Sequence, residues 1–220
     1  MQLFFAEPAA FSDAILQRVT PLLPPEKQRS IAKIKHAPTC RQATLAWALL
    51  LYAFWEQTPD EPLPPLGFSE TGKPFFSGSD LRFNLSHTDT LVCLALSGQP
   101  VGVDAQTLVV PSEGVAKRVL SPAELALLET AGDKAALFTT LWTQKEAFVK
   151  RTGEGIVRGL SSLDFAPYDG LERFSAYDCR FSVFRFCGAV MTACGDMLAE
   201  SPRQVTQAML ENVLLGKNHG

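Results

Sequence analysis

The most apolar run of the chain, ATLAWALLLYAFW, extends from residue 43 to 55 without a charged side chain. Thirteen residues fall short of the ~20 that a bilayer span requires, so the run predicts a helix buried in a core. Upstream, PEKQRSIAKIK (25–35) spaces its apolar residues as a short amphipathic helix, and Pro38 and Thr39 open the long helix near Arg41. The proline-rich TPDEPLPPLGF (58–68) reads as loop. The hydrophobic period then shortens. LRFNLS (81–86), LVCLALS (91–97) and VGVDAQ (101–106) read as strands, and the turn residues SGQP (97–100) predict a hairpin between the last two.

The same grammar recurs in the second half. PSEGVAKRVLSPAELALLE (111–129) reads as helix broken at Ser121-Pro122, where serine caps and proline fits the first turn. DKAALFTTLWTQKEAFVKR (133–151) is a strong helix: Asp133 caps it, Lys150 and Arg151 suit its C-terminal dipole, and Gly153 can end it. SSLDF (161–165), CRFSVFRF (179–186) and AVMTAC (189–194) read as strands, the last two joined by a tight Cys187-Gly188 turn, and residues 202–215 as helix. Helices followed by strands, twice over, predict an α+β fold. The expectation is two pseudo-symmetric lobes, 1–100 and 101–220, each a small antiparallel sheet packed with a long helix. No letter-for-letter repeat accompanies this pattern.

Composition narrows the function classes. The net charge is −3, only 20% of residues are charged, and no basic cluster suits the counterion displacement of nucleic-acid binding. No segment predicts a membrane partner. Five cysteines, an odd number without a C-x-x-C, signal neither a disulfide framework nor zinc; small buried thiols in a reducing compartment are expected. MQLFFAEPAAFSD lacks the basic start of a signal peptide, which makes the expected location cytoplasmic. Disorder is expected only at the final GKNHG.

Candidate chemistry starts with Asp104. In VGVDAQ a period of two sets Val101, Val103 and Ala105 on one face, and Gly102, Asp104 and Gln106 on the other. A carboxylate and an amide presented together suit a hard cation such as magnesium, although an ordinary solvent-facing strand would carry the same letters. Glu146 and Lys150, four apart, share a helix face with Trp142 one turn earlier. They form either a surface ion pair or, given Phe148 and Val149 beside them, one wall of a cleft. SHTD (86–89) is no serine-hydrolase signature, because a nucleophile elbow is missing and adjacent Ser and His cannot generally align. His87 next to a hydroxyl at a strand end can instead grip a phosphate. GFSETGKPFF (67–76) lacks a P-loop's preceding strand, following helix and hydroxyl after the lysine, which Pro74 replaces. What it offers is Lys73 in a stiff turn.

Taken in order, GKP, FNLSHT, VGVDAQ and LWTQKEAFVKRTGEGI over residues 72–156 resemble the 4′-phosphopantetheinyl transferases, of the longer two-lobed kind that activates peptide and polyketide synthetases. The basic helix leading to Arg41 fits as well. The resemblance implies transfer of the phosphopantetheine arm of coenzyme A to a serine of an apo carrier protein, releasing 3′,5′-ADP, in a cleft between the lobes of a single chain that can act as a monomer. It implies Asp104 and Glu146 as magnesium carboxylates, Lys150 as the catalytic lysine, and Arg41, Lys73, His87 and Ser86 around the coenzyme A phosphates, with Lys33 a looser candidate. Glu146 is also the expected base for the serine.

This chain departs from many members at Gln106, where a second acid is common; an amide oxygen or a water can complete the magnesium shell. For the acidic carrier protein, VAKRVLSPAEL (115–125) is the expected docking stretch, with Lys117, Arg118 and Leu120 as contacts unless Val119 and Leu120 are core. Two alternatives stand beside the transferase: a non-catalytic carrier-binding relative, and a magnesium-dependent coenzyme A or nucleotide hydrolase. The carrier and its pathway are not written in the sequence.

Overall fold

The structure is a computed structural model that describes residues 1–59, 61–153, 159–186 and 188–217. Glu154–Ile156 of the fourth motif, Cys187 of the expected turn and the last three residues of GKNHG lie outside the described residues. The first part of the chain comprises β1 (Gln2–Ala6), α1 (Asp13–Val19), α2 (Pro25–Ile31), α3 (Ala37–Gln57), β2 (Leu66–Phe68), β3 (Pro74–Phe76), β4 (Arg82–His87) and β5 (Val92–Ser97). The second comprises β6 (Val101–Thr107), α4 (Glu113–Val119), α5 (Pro122–Thr130), α6 (Lys134–Thr152), β7 (Arg173–Ala176), β8 (Cys179–Phe186), β9 (Ala189–Gly195), β10 (Arg203–Gln204) and α7 (Gln207–Lys217). Among the described residues no helix is long and apolar enough to cross a membrane.

The α+β fold is laid down as four layers. The side chains of β1 and β5 alternate as a strand requires. Phe4, Ala6, Val92, Leu94 and Leu96 pack with the apolar helix α3, while Leu3, Leu91, Cys93 and Ala95 pack with Val101, Val103, Ala105, Met191 and Ala193 of the second lobe. On the far side of the second sheet, Val183, Val190 and Cys194 meet Phe138, Leu141 and Ala147 of α6. Each sheet is thus backed by one long helix, and the two sheets bury a shared apolar seam.

The first sheet has the order β10-β1-β5-β4 and the second β6-β9-β8-β7, antiparallel except where β10 runs parallel to β1. The hairpin expected across SGQP does not form. β5 is already paired on both edges, by β1 and β4, so β6 crosses to the second sheet and pairs with β9. β6 and β4 are facing sheet edges joined by side chains: the Val103 N–H donates to Asn84 Oδ1 at 2.8 Å, and the Ala105 N–H to Ser86 Oγ at 3.3 Å.

SSLDF is not a strand either; Leu160–Ser162 forms a 3-10 turn. The cause is a buried ammonium. Lys145 Nζ donates to the carbonyls of Leu160 at 3.1 Å and Leu163 at 2.8 Å, as well as to Val119 at 2.8 Å, and pairs with Glu124 at 2.5 Å. Both side chains are 0% exposed. Glu124 completes the capping box of α5 with Ser121, the break foreseen at Ser121-Pro122, and accepts from the Phe165 N–H at 2.8 Å. The Leu163 carbonyl within the segment and the Leu160 carbonyl just before it are spent on Lys145 rather than on a ladder.

The tail returns to the start of the chain. Val205, Leu210 and Leu214 join the core around α3, and Arg203 grips Glu56 at 2.6 and 2.9 Å while its guanidinium lies over the Phe4 ring. Residues 203–214 therefore pack with the first sheet rather than the second.

Candidate functional site

The β4–β6 seam carries the polar cluster. Asp104 projects from the α6-facing side of β6, as strand alternation predicts, and is only 6% exposed. Its Oδ1 accepts from Lys150 Nζ at 2.6 Å and from Ser86 Oγ at 2.9 Å; Lys150 also donates to Ser86 Oγ at 3.0 Å. Three side chains from β4, β6 and α6 thereby meet at one point, and each one's polar group is held by the other two.

That meeting requires a close approach of strand and helix. A Cβ on Gly102 would lie 2.0 Å from the Ala147 carbonyl oxygen and 2.6 Å from the Arg151 nitrogen. Glycine lets β6 touch the backbone of α6, which sets Asp104 level with Lys150.

Around the cluster is a cavity of about 380 Å³ lined by Ser86, His87, Asp104, Gln106, Trp142, Glu146 and Lys150, with Leu85 and Ala105. The helix-face reading of Trp142, Glu146 and Lys150 thus corresponds to a cavity wall. Burial, then the Asp104 charge, raises the Glu146 carboxyl above its ordinary value, and Lys150 opposes this. Partial burial and the Lys150 ammonium lower the pKa of His87, against the pull of Asp89. Both shifts favour the uncharged form of the group, as burial does at a cavity wall.

Among the described residues no group of three or more His, Cys, Asp and Glu side chains is arranged to hold a metal. The cavity offers two carboxylates and the Gln106 amide, all hard oxygen donors. This set fits magnesium, which commonly takes one or two carboxylates and fills its shell with water and phosphate.

The remaining sequence candidates are elsewhere. Arg41 Nε and Nη2 donate to the Pro8 carbonyl at 3.2 Å each, and its guanidinium pairs with Asp13. Lys33 is exposed beyond the end of α2, which stops at Ile31. Lys73 lies in the turn of the β2–β3 hairpin, so GFSETGKPFF is a hairpin and no P-loop. Its ammonium donates to backbone carbonyls of Val101 and Arg151 at 3.2 Å each and of Lys150, and burial, then the Arg151 charge, lowers its pKa to about 8.

Leu120 is corrected as a docking contact. It is 1% exposed and belongs to the second lobe's core, whereas Lys117 and Arg118 stay exposed, Lys117 paired with Glu113 at 2.6 Å. Sequence reasoning passed over Lys145 and Glu124. The available signal was a cation on the apolar stripe Phe138–Leu141–Lys145–Phe148, where a buried partner is obligatory.

Comparison with known proteins points to one family. A family model described as the 4′-phosphopantetheinyl transferase superfamily matches residues 100–188, which contain Asp104, Glu146 and Lys150. The 4′-phosphopantetheinyl transferase psf-1 of Bacillus pumilus is 30% identical over 152 residues, 67% of this chain and 65% of that protein. The 4′-phosphopantetheinyl transferase Sfp of Bacillus subtilis is 28% identical over 150 residues, 66% of this chain and 67% of that protein. Another 4′-phosphopantetheinyl transferase of Bacillus subtilis is 32% identical over 99 residues, 44% of each chain. The chain thus spans between 44% and 67% of the length of these curated relatives. The matched region contains both the buried carboxylate and its lysine, and by these matches the chain is similar to the 4′-phosphopantetheinyl transferase superfamily.

Proposed function

We propose that this protein transfers the 4′-phosphopantetheine arm of coenzyme A to a serine hydroxyl of an apo carrier protein, releasing 3′,5′-ADP. The observation that carries the reading is the convergence of Asp104, Glu146 and Lys150 on one cavity at the seam of the lobes. The serine oxygen attacks the phosphorus bearing pantetheine, a new P–O bond forms, and the bond to the bridging oxygen of the pyrophosphate breaks. Glu146 takes the serine proton, directly or through a water. Its raised pKa strengthens it as an acceptor, and its helix fixes it on the cavity wall. Lys150, held by Asp104 and Ser86, places an ammonium where negative charge grows on the departing phosphate.

Asp104, Glu146 and Gln106 would hold a magnesium ion, which supplies charge neutralisation of the pyrophosphate. His87 and Ser86, which also line the cavity, suit the phosphate oxygens. The exposed Lys117 and Arg118 remain the suggested docking cations for an acidic carrier, without Leu120.

Incubation with coenzyme A, magnesium and an apo carrier should increase the carrier's mass by that of the arm, read by intact-protein mass spectrometry. Unmodified carrier across several partner types would overturn the proposal. Release of 3′,5′-ADP with no carrier present would assign the site to hydrolysis instead.

Gln106 gives a graded prediction. It lines the cavity two residues beyond Asp104 on the same face of β6. Gln106→Glu adds a carboxylate to the donor set and should lower the magnesium concentration for half-maximal rate by roughly three- to tenfold, about 1 kcal/mol of added charge attraction. A titration with an unchanged midpoint would exclude Gln106 from the metal shell.

A further inference from the structure

The turn at residues 69–73 belongs by sequence to the first lobe, yet its polar groups are spent on the second. Lys73 Nζ reaches the carbonyls of Lys150 and Arg151 in the last turn of α6 and that of Val101 at the start of β6. Thr71 Oγ1 donates to the Gly153 carbonyl, the left-handed cap of α6, at 2.7 Å. The turn is itself braced: Ser69 Oγ lies 2.8 Å from Thr71 Oγ1 and accepts from the Lys73 N–H at 3.0 Å, and Gly72 takes φ +83°. A helix C-terminus leaves its last carbonyls without internal partners and favours a cation. Here both needs are met from the other lobe.

We infer that the Gly-Lys-Pro hairpin is an inter-lobe clamp, and that Lys73 is a positioning residue that sets Lys150 against Asp104 rather than a ligand for a phosphate of the substrate. The carbonyl it grips is that of Lys150 itself, and the second element it grips is the strand that carries Asp104 three residues further on. One ammonium thus ties together the backbones beneath both members of the 2.6 Å ion pair. Gly102 acts at the same junction by allowing contact; the hairpin holds that contact shut. The side chain is consumed by backbone carbonyls and has no place among the residues lining the cavity.

This inference rests on the transferase reading only for its kinetic arm. The first test needs no substrate: amide hydrogen exchange in wild type, Lys73→Met and Thr71→Val. Exchange over residues 149–153 should accelerate roughly tenfold or more in Lys73→Met and less in Thr71→Val, with the first sheet unaffected. Unchanged exchange in both would overturn the clamp. In the transfer assay, Lys73→Met should lower kcat roughly ten- to a hundredfold, as expected of a displaced catalytic group, while KM for coenzyme A stays within about twofold. The ratio of rates with coenzyme A and with 3′-dephospho-coenzyme A should be the same in variant and wild type. A raised KM together with loss of that preference would make Lys73 a phosphate ligand and refute the proposal. Faster exchange in a protein that modifies no carrier would support the clamp and sink the transferase reading instead.

Discussion

Asp104→Asn is expected to reduce arm transfer roughly 10²–10³-fold or more while leaving a folded protein. The substitution is isosteric, and the asparagine oxygen can still accept from Ser86 Oγ and Lys150 Nζ, so the seam between β4 and β6 keeps its hydrogen bonds. The charge is what disappears. Lys150 loses the anion that holds its ammonium in place, and the cavity loses one of two carboxylates suited to a divalent ion. Steady-state transfer measured alongside circular dichroism separates lost chemistry from lost fold. Turnover within about tenfold of wild type would remove Asp104 from the reaction.

The second large effect falls on stability. Gly102→Ala places a methyl group 2.0 Å from the Ala147 oxygen and 2.6 Å from the Arg151 nitrogen, both backbone atoms of the last turns of α6 that cannot rotate aside. β6 must lift from the helix along the line where the two elements are packed most intimately. The cost should reach or exceed the upper end of ordinary overpacking, roughly 3 kcal/mol. The same displacement draws Asp104 away from Lys150, so transfer should fall even at temperatures where the variant is folded. Equilibrium denaturation checks the first part; a loss under about 1 kcal/mol would mean that β6 and α6 are less rigidly apposed than the structure indicates.

These two residues show what sequence alone can carry. The faces that Asp104, Glu146 and Lys150 occupy were legible because each obeys a local period, two along a strand and four along a helix; the period left an ordinary strand face and a surface ion pair open, and did not say that the three share a cavity. The ends of α6 were legible too, since Asp133 and Gly153 are caps written in the chain itself. Gly102 was assigned to the correct face, but nothing local says that a helix backbone lies against it. The failures share a cause. SSLDF has strand letters, and a lysine eighteen residues away takes the Leu163 carbonyl as well as that of Leu160 just before the segment. SGQP has hairpin letters, but β1, near residue 2, already occupies the edge that β6 would need. Lys73 shows the same limit in the site: its turn was foreseen, whereas its partners, 28 to 78 residues distant, were not.

The seam of small and branched side chains between the two sheets has a consequence for dissection of the protein. Val101, Val103, Ala105, Met191 and Ala193 form a dry face whose cover is Leu3, Leu91, Cys93 and Ala95. The portion that carries Asp104, Glu146 and Lys150, excised on its own, would show that face to water and also lose the Asn84 and Ser86 struts. Such a fragment is destined to self-associate through its bare surface, and Lys150 in it would lack the hydroxyl that steadies its ammonium.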